Sequence, residues 1–204
     1  MRLMHAATLA VALAAATGAQ ATVSGSLGGE YGTFATLSGT GVVPNSGGTL
    51  SGATSATIVG GTVFAADQTF ADDVVPGENF LAAGPTAGQP SVLTFATPVN
   101  YISFLWGSPD TYNTLTVFSN GGTTSQTFTT ASMLFPVQNG DQSFNQAVQF
   151  VATAGQITGL KFESTINAFE VGRFTVTPVP EPGTYALMLA GLGVMGYVAR
   201  RRRG

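Results

Sequence analysis

The residue pattern predicts an all-β protein: an antiparallel β-sandwich or jelly-roll-like domain, flanked by an N-terminal signal-peptide helix and a C-terminal transmembrane helix. Three observations carry that reading. Runs rich in Thr, Val, Ile and Phe recur between clusters of Gly, Asn and Ser, with turn signals about every 8–12 residues. No window of about 12 residues shows a 3.6-residue apolar period. Of 204 residues, 27 are Gly, 44% are hydrophobic and only 8% are charged. A disordered chain inverts that balance, so a packed core under a weakly charged Ser/Thr/Gly surface is expected.

Taken in order, residues 1–21 read as a secretory signal peptide. Arg2 and His5 form a short basic start, Ala6 to Ala16 an apolar run, and Ala19-Gln20-Ala21 a small-residue cleavage site before Thr22. The run is short of the roughly 20 residues that a membrane span needs. Residues 22–177 form the β-domain. Its expected strands are Thr22 to Leu27, Tyr31 to Leu37, Thr54 to Phe64, Val92 to Phe95 and Val99 to Trp106, the last two separated by Pro98. Leu115 to Phe118 turns through Asn120-Gly121-Gly122 into Thr123 to Thr129, a hairpin built on residues that tolerate positive φ. Gln146 to Ala152, Ile157 to Glu163 and Ala168 to Thr177 complete the set.

Alternation assigns Ile102, Phe104 and Trp106 to one face of their strand. Phe169 and Val171 share a parity opposite to that of Phe174 and Val176; a bulge at Gly172 would let all four point inward. Gly39 to Gly52 and Asp72 to Gln89 read as long irregular loops.

Between Thr22 and Pro178 the basic residues are Lys161 and Arg173 only, against nine acids, for a formal charge of −7. Two cations cannot neutralise a phosphate backbone, so no nucleic-acid partner is expected. Lys161 and Arg173 are expected to pair with Glu163 and Glu170 across neighbouring strands. The chain has no Cys, and its single His, His5, lies in the signal peptide. Ser-His-Asp and Cys-His nucleophile systems and ordinary zinc sites therefore lack their residues. A carboxylate pair is what remains for catalysis, and an enzyme is not expected.

After Pro178 the chain reads Val179-Pro180-Glu181-Pro182-Gly183, then an uncharged apolar stretch to Ala199, then Arg200, Arg201, Arg202 and Arg203. Seventeen residues from Gly183 rise about 26 Å as a helix, the lower limit for a bilayer, and an arginine block stays cytoplasmic. A plain membrane anchor would be permitted by the helix and the arginines, but has no need of Pro-Glu-Pro. The order of the three parts over residues 178–204 resembles the PEP-CTERM sorting signal of Gram-negative bacteria. That resemblance implies recognition by the membrane protease exosortase, an inner-membrane precursor, removal of the tail, and release to the outer surface or extracellular matrix. It also implies association with exopolysaccharide and biofilm. The segment Trp106-Gly107-Ser108-Pro109-Asp110-Thr111-Tyr112-Asn113 resembles a W-G-S-x-D-x-Y-N stretch found in a group of exosortase-dependent surface proteins.

Two readings of that segment stand side by side. In one it is structural: Gly107 and Pro109 turn the chain, Asp110 caps the turn, and Trp106 and Tyr112 cover the sandwich end. In the other it binds sugar, with Trp106 or Tyr112 stacking on a pyranose while Asp110 and Asn113 hold its hydroxyls. Asp72, Asp73 and Glu78 offer oxygens for Ca²⁺, although Asp72-Asp73-Val74-Val75-Pro76-Gly77-Glu78 does not match an EF-hand loop and equally reads as a solvated acidic loop; no other cofactor is expected. The sequence thus points to an exported, non-catalytic surface or matrix protein, with a carbohydrate-binding module as the alternative.

Overall fold

Alternating apolar residues give strands, and the strands found here are those that the alternation marks, some of them split or joined, with two additions. The computed structural model describes residues 22–29, 32–39, 43–65, 78–178, 188–192, 195 and 200. Among these residues thirteen strands follow one another: β1 (Thr22–Leu27), β2 (Thr33–Phe34), β3 (Thr36–Ser38), β4 (Gly48–Ser51), β5 (Ala56–Val59), β6 (Thr62–Phe64) and β7 (Phe80–Ala83). They continue with β8 (Ser91–Gly107), β9 (Asn113–Ser119), β10 (Thr124–Thr129), β11 (Asn145–Ala154), β12 (Ile157–Ser164) and β13 (Phe169–Pro178). All strand pairings among them are antiparallel. The all-β class is as the sequence predicts.

Strand β8 organises the rest. Its first half pairs with β5 and β12, and β12 passes the sheet on to β9 and β10. Its second half pairs with β11 and β13, which extend to β1 on one side and to β7, β6 and β2 on the other. One continuous sheet therefore folds over itself in two facing layers. Side chains from both layers meet in the core: Phe104 lies 5.7 Å from Phe162, and Phe128 lies 5.0 Å from Phe150, centroid to centroid. The free edges nearly close on each other. Gly47 bridges to Thr62, and Val23 N–H donates to Gln126 Oε1 at 3.1 Å.

Pro98 does not separate two strands as expected. It falls in the register step where β8 exchanges partners, after Phe95 pairs with Ala56 and before Val99 pairs with Ile157 and Pro178. A missing N–H costs little where no ladder is maintained. The Gly39 to Gly52 stretch contains β4, which forms a hairpin with β3; the Cβ of any larger residue at Gly48 would lie 2.5 Å from the Ser38 carbonyl oxygen. The Asp72 to Gln89 stretch contains β7, whose four residues are all buried. Gly60 and Gly61, at φ of 77° and 68°, divide the expected Thr54 to Phe64 strand into β5 and β6.

The bulge in β13 is present. Two residues, Arg173 and Phe174, occupy the step between Gly172 opposite Leu105 and Thr175 opposite Ser103. Phe169, Val171, Phe174 and Val176 are all fully buried in consequence. The left-handed residue is Arg173, at φ 51°, rather than the glycine before it. The turn at Asn120-Gly121-Gly122 takes positive φ at all three residues, as its composition predicts.

The topology gives the domain two distinct ends. Thr22 pairs with Ala154, Pro178 pairs with Val99, and Asn120 N–H donates to the Gln156 carbonyl, so both terminal strands meet at one end. The connections that follow Ala83, Gly107, Thr129 and Ser164 gather at the other. Residues 1–21 and 179–187 lie outside the described residues; 188–192 are helical, with Met188, Leu189 and Leu192 exposed. Among the described residues, no helix is long and apolar enough to cross a membrane.

Candidate functional site

The Trp106 to Asn113 segment leaves β8, turns at the end of the domain remote from Thr22 and Pro178, and enters β9. Gly107 pairs with Asn145 on one side and Glu170 on the other. Ser108 takes φ 37°, and its N–H donates to the Phe144 carbonyl at 2.9 Å. Pro109 offers its carbonyl to Gly140 N–H, and Asp110 offers its carbonyl to Asn113 N–H, each at 3.2 Å. The turn is thus tied on both sides to the loop that follows β10.

Trp106 is fully buried. Its indole stacks on Phe169 at 4.1 Å and meets the Phe135 ring edge-on at 5.1 Å, so both partners are protein rings. Its Nε1–H and the Nδ2 of the equally buried Asn113 find no acceptor among the described residues. Asn113 Oδ1 lies 2.8 Å from the Ser164 hydroxyl, which also lies 2.5 Å from the Ile166 carbonyl. Asp110 is 7% exposed, and its carboxylate rests against Gly140, where an added Cβ would lie 2.5 Å from Oδ2. The sequence groups Trp106, Asp110, Tyr112 and Asn113; the structure buries three of them and leaves Tyr112 half-buried at the surface.

The Tyr112 hydroxyl faces the Asp110 carboxylate. Burial and the neighbouring carboxylates of Asp110 and Glu170 push its pKa up to about 12, so it stays protonated. The ring lines an open groove of about 430 Å³ together with Gln89, Pro90, Thr114, Glu163, Ser164 and Thr165. Gln89 Oε1 accepts from Ser164 N–H at 3.0 Å, which fixes the amide at the rim. Lys161 Nζ sits 2.6 Å from Glu163 Oε2, two residues along the same strand rather than across strands. Half-exposed as it is, that pair adds little stability.

Glu170, expected as an ion-pair partner, is 2% exposed and accepts from the Ser108 hydroxyl at 2.8 Å. Burial raises its pKa to about 7, and the Ser108 hydrogen bond opposes the rise. Sequence reasoning missed its burial, and also the groove-lining Gln89 and Thr165. Alternation gave no signal of it, since Phe169 and Val171 face the core and so put Glu170 on the opposite face of the strand.

Asp72 and Asp73 lie outside the described residues. Glu78 is half-buried, with Oε2 unpartnered among the described residues. No cluster of three metal-ligating side chains is found among them.

The tail follows directly from β13. Comparison with protein-family models matches the PEP-CTERM protein-sorting motif at residues 178–203, which spans Val179-Pro180-Glu181-Pro182-Gly183 and the arginines from Arg200. The chain carries a PEP-CTERM sorting signal. The PEP-CTERM motif marks the chain for processing by exosortase, a membrane protein, and for export to the cell surface or beyond. Neither a curated protein nor a solved structure matches the chain.

Proposed function

We propose that the β-domain of this PEP-CTERM chain is a non-catalytic building element of the extracellular matrix, held in or on exopolysaccharide after an inner-membrane precursor stage. The sorting motif at residues 178–203 carries the reading, because it delivers the domain to that compartment. The side chains support it. The domain has no His or Cys, Glu170 and Asp110 are buried, and Glu170 is bonded to the Ser108 hydroxyl. Uncharged surface residues keep such a domain compatible with a hydrated glycan network.

The alternative, a carbohydrate-binding module that works by aromatic stacking, is favoured by one specific observation. Tyr112 lines an open groove, whereas the Trp106 ring is occupied by Phe169 and Phe135.

The test is intact mass and cell fraction of the chain in its host, with and without Pro180-Glu181-Pro182 replaced by alanines. The natural chain is expected to lose Arg200–Arg203 and to co-purify with extracellular polysaccharide, and the variant to stay in the inner membrane. Retention of the arginines by both, with no chain in the polysaccharide fraction, would overturn the proposal.

A further inference from the structure

We infer that the groove beside Tyr112 is a binding site for a neutral polysaccharide chain; this rests on the exopolysaccharide reading above and names the surface that would serve it. The termini meet at the end of the domain where Thr22 pairs with Ala154 and Pro178 with Val99. The sorting tail follows Pro178, so the opposite end, with the 107–113, 129–145 and 164–169 connections, faces away from the point of attachment. Loops gathered at one end of a rigid sandwich are free to carry contacts that the strands are not.

The lining fits the chemistry of a sugar. A pyranose offers an apolar C–H face and a rim of hydroxyls that both donate and accept. Tyr112 supplies an amphipathic ring. Its hydroxyl faces Asp110, and the Asp110 backbone is held by its bridge to Asn139 and by Thr130, whose hydroxyl lies 3.2 Å from the Asp110 carbonyl. The turn that carries the ring is therefore held in place, which lowers the entropy lost on binding. Around it stand Thr114, Thr165, the Gln89 amide and the Glu163 carboxylate. Gln89 uses Oε1 on Ser164 N–H, and its Nε2 is the donor end of the same amide. The groove volume of about 430 Å³ lies inside the roughly 300–1,000 Å³ range of ligand clefts.

The charge selects a neutral chain over a uronate-rich one. The carboxylate of Glu163 lines the groove, Asp110 and Glu170 act on Tyr112 from behind it, and Lys161 is held by Glu163. With a formal charge of −7 over residues 22–178, a polyanion is repelled.

The test uses the processed protein recovered from its host. Its binding is measured by affinity electrophoresis in gels containing the host's extracellular polysaccharide, a neutral glucan or galactan, or alginate. Retardation is expected in the host polysaccharide and in at least one neutral gel. Tyr112→Ala is expected to weaken it about tenfold or more, and Tyr112→Phe to leave most of it. Thr165→Trp, on an exposed loop, is expected to block the groove without touching the core, and it decides the matter if Tyr112→Ala fails to fold. Unchanged binding by Tyr112→Ala and Thr165→Trp would overturn the groove while leaving the matrix reading intact. Retardation confined to alginate would overturn the neutral ligand. No retardation of the natural protein in any gel would overturn both the groove and the polysaccharide association.

Discussion

Replacing Glu170 by Gln is expected to flatten the pH dependence of stability. Glu170 sits between Ala82 and Gly107 in the sheet, 2% exposed, and its pKa rises from 4.5 to about 7 because burial disfavours the charge. The folded chain thus holds a proton that the unfolded chain releases. The associated stability is fully present below about pH 4.5 and is lost as pH rises through about 7, which leaves a charged carboxylate in the sheet. The difference of about 2.5 pH units corresponds to about 3 kcal/mol at about 1.4 kcal/mol per unit. Gln keeps an oxygen acceptor for the Ser108 hydroxyl, 2.8 Å away in the natural protein, and cannot ionise. Tyr112, pushed up to about 12, stays neutral throughout. The exposed Asp141, whose pKa is lowered by hydrogen bonds from Ser143, works in the opposite sense, losing its contribution as pH falls; a range starting at about pH 5 avoids most of its titration. Urea unfolding followed by circular dichroism from about pH 5 to about pH 8.5 is the assay. The natural protein is expected to lose stability across that range, and Glu170→Gln to lose little and to be more stable by up to about 3 kcal/mol at the alkaline end. Parallel curves for the two proteins would refute the reasoning.

Three further outcomes follow from packing and backbone geometry. Trp106→Ala, which removes a fully buried ring stacked on Phe169 and met edge-on by Phe135, is expected to cost about 3–5 kcal/mol in denaturant unfolding monitored by circular dichroism. Gly60→Ala is expected to be far more damaging than Gly121→Ala, as read by thermal unfolding: both have positive φ, but a Cβ at Gly60 would meet the Pro90 carbonyl oxygen at 2.2 Å and one at Gly121 meets nothing within 4 Å. Gly121→Ala should cost only the left-handed backbone term, about 1–2 kcal/mol. Leu134→Asn, at a position 81% exposed with φ 60°, is expected to raise stability by about 1 kcal/mol in the same measurement, because Asn tolerates that region better than Leu.

The amino-acid sequence by itself determined what depends on local pattern. Strand parity told which residues of Ile102, Phe104 and Trp106 share a face, and all three are buried. The parity change across Gly172 told of a bulge, since only an extra residue lets Phe169, Val171, Phe174 and Val176 all face the core. The Pro-Glu-Pro, apolar and arginine order told of the sorting signal, which is linear and is read without any fold. Tertiary structure decided what depends on partners distant in the chain. Strand β4 carries a single large apolar residue and β7 is four apolar residues with no alternation, so neither announces itself, and they exist because β3, β5, β6 and β13 offer them edges. Strand β8 runs through Pro98 because the proline falls where one set of partners gives way to another. The fate of the Trp106 to Asn113 segment was decided in the same way. Phe135 and Phe169, 29 and 63 residues further along, claim the indole, while Gln89 and Thr165 arrive from two other loops to form a groove with Tyr112. Hydrophobic periodicity reports which face of a strand is buried, but the element that buries it is chosen only when the sheet folds over.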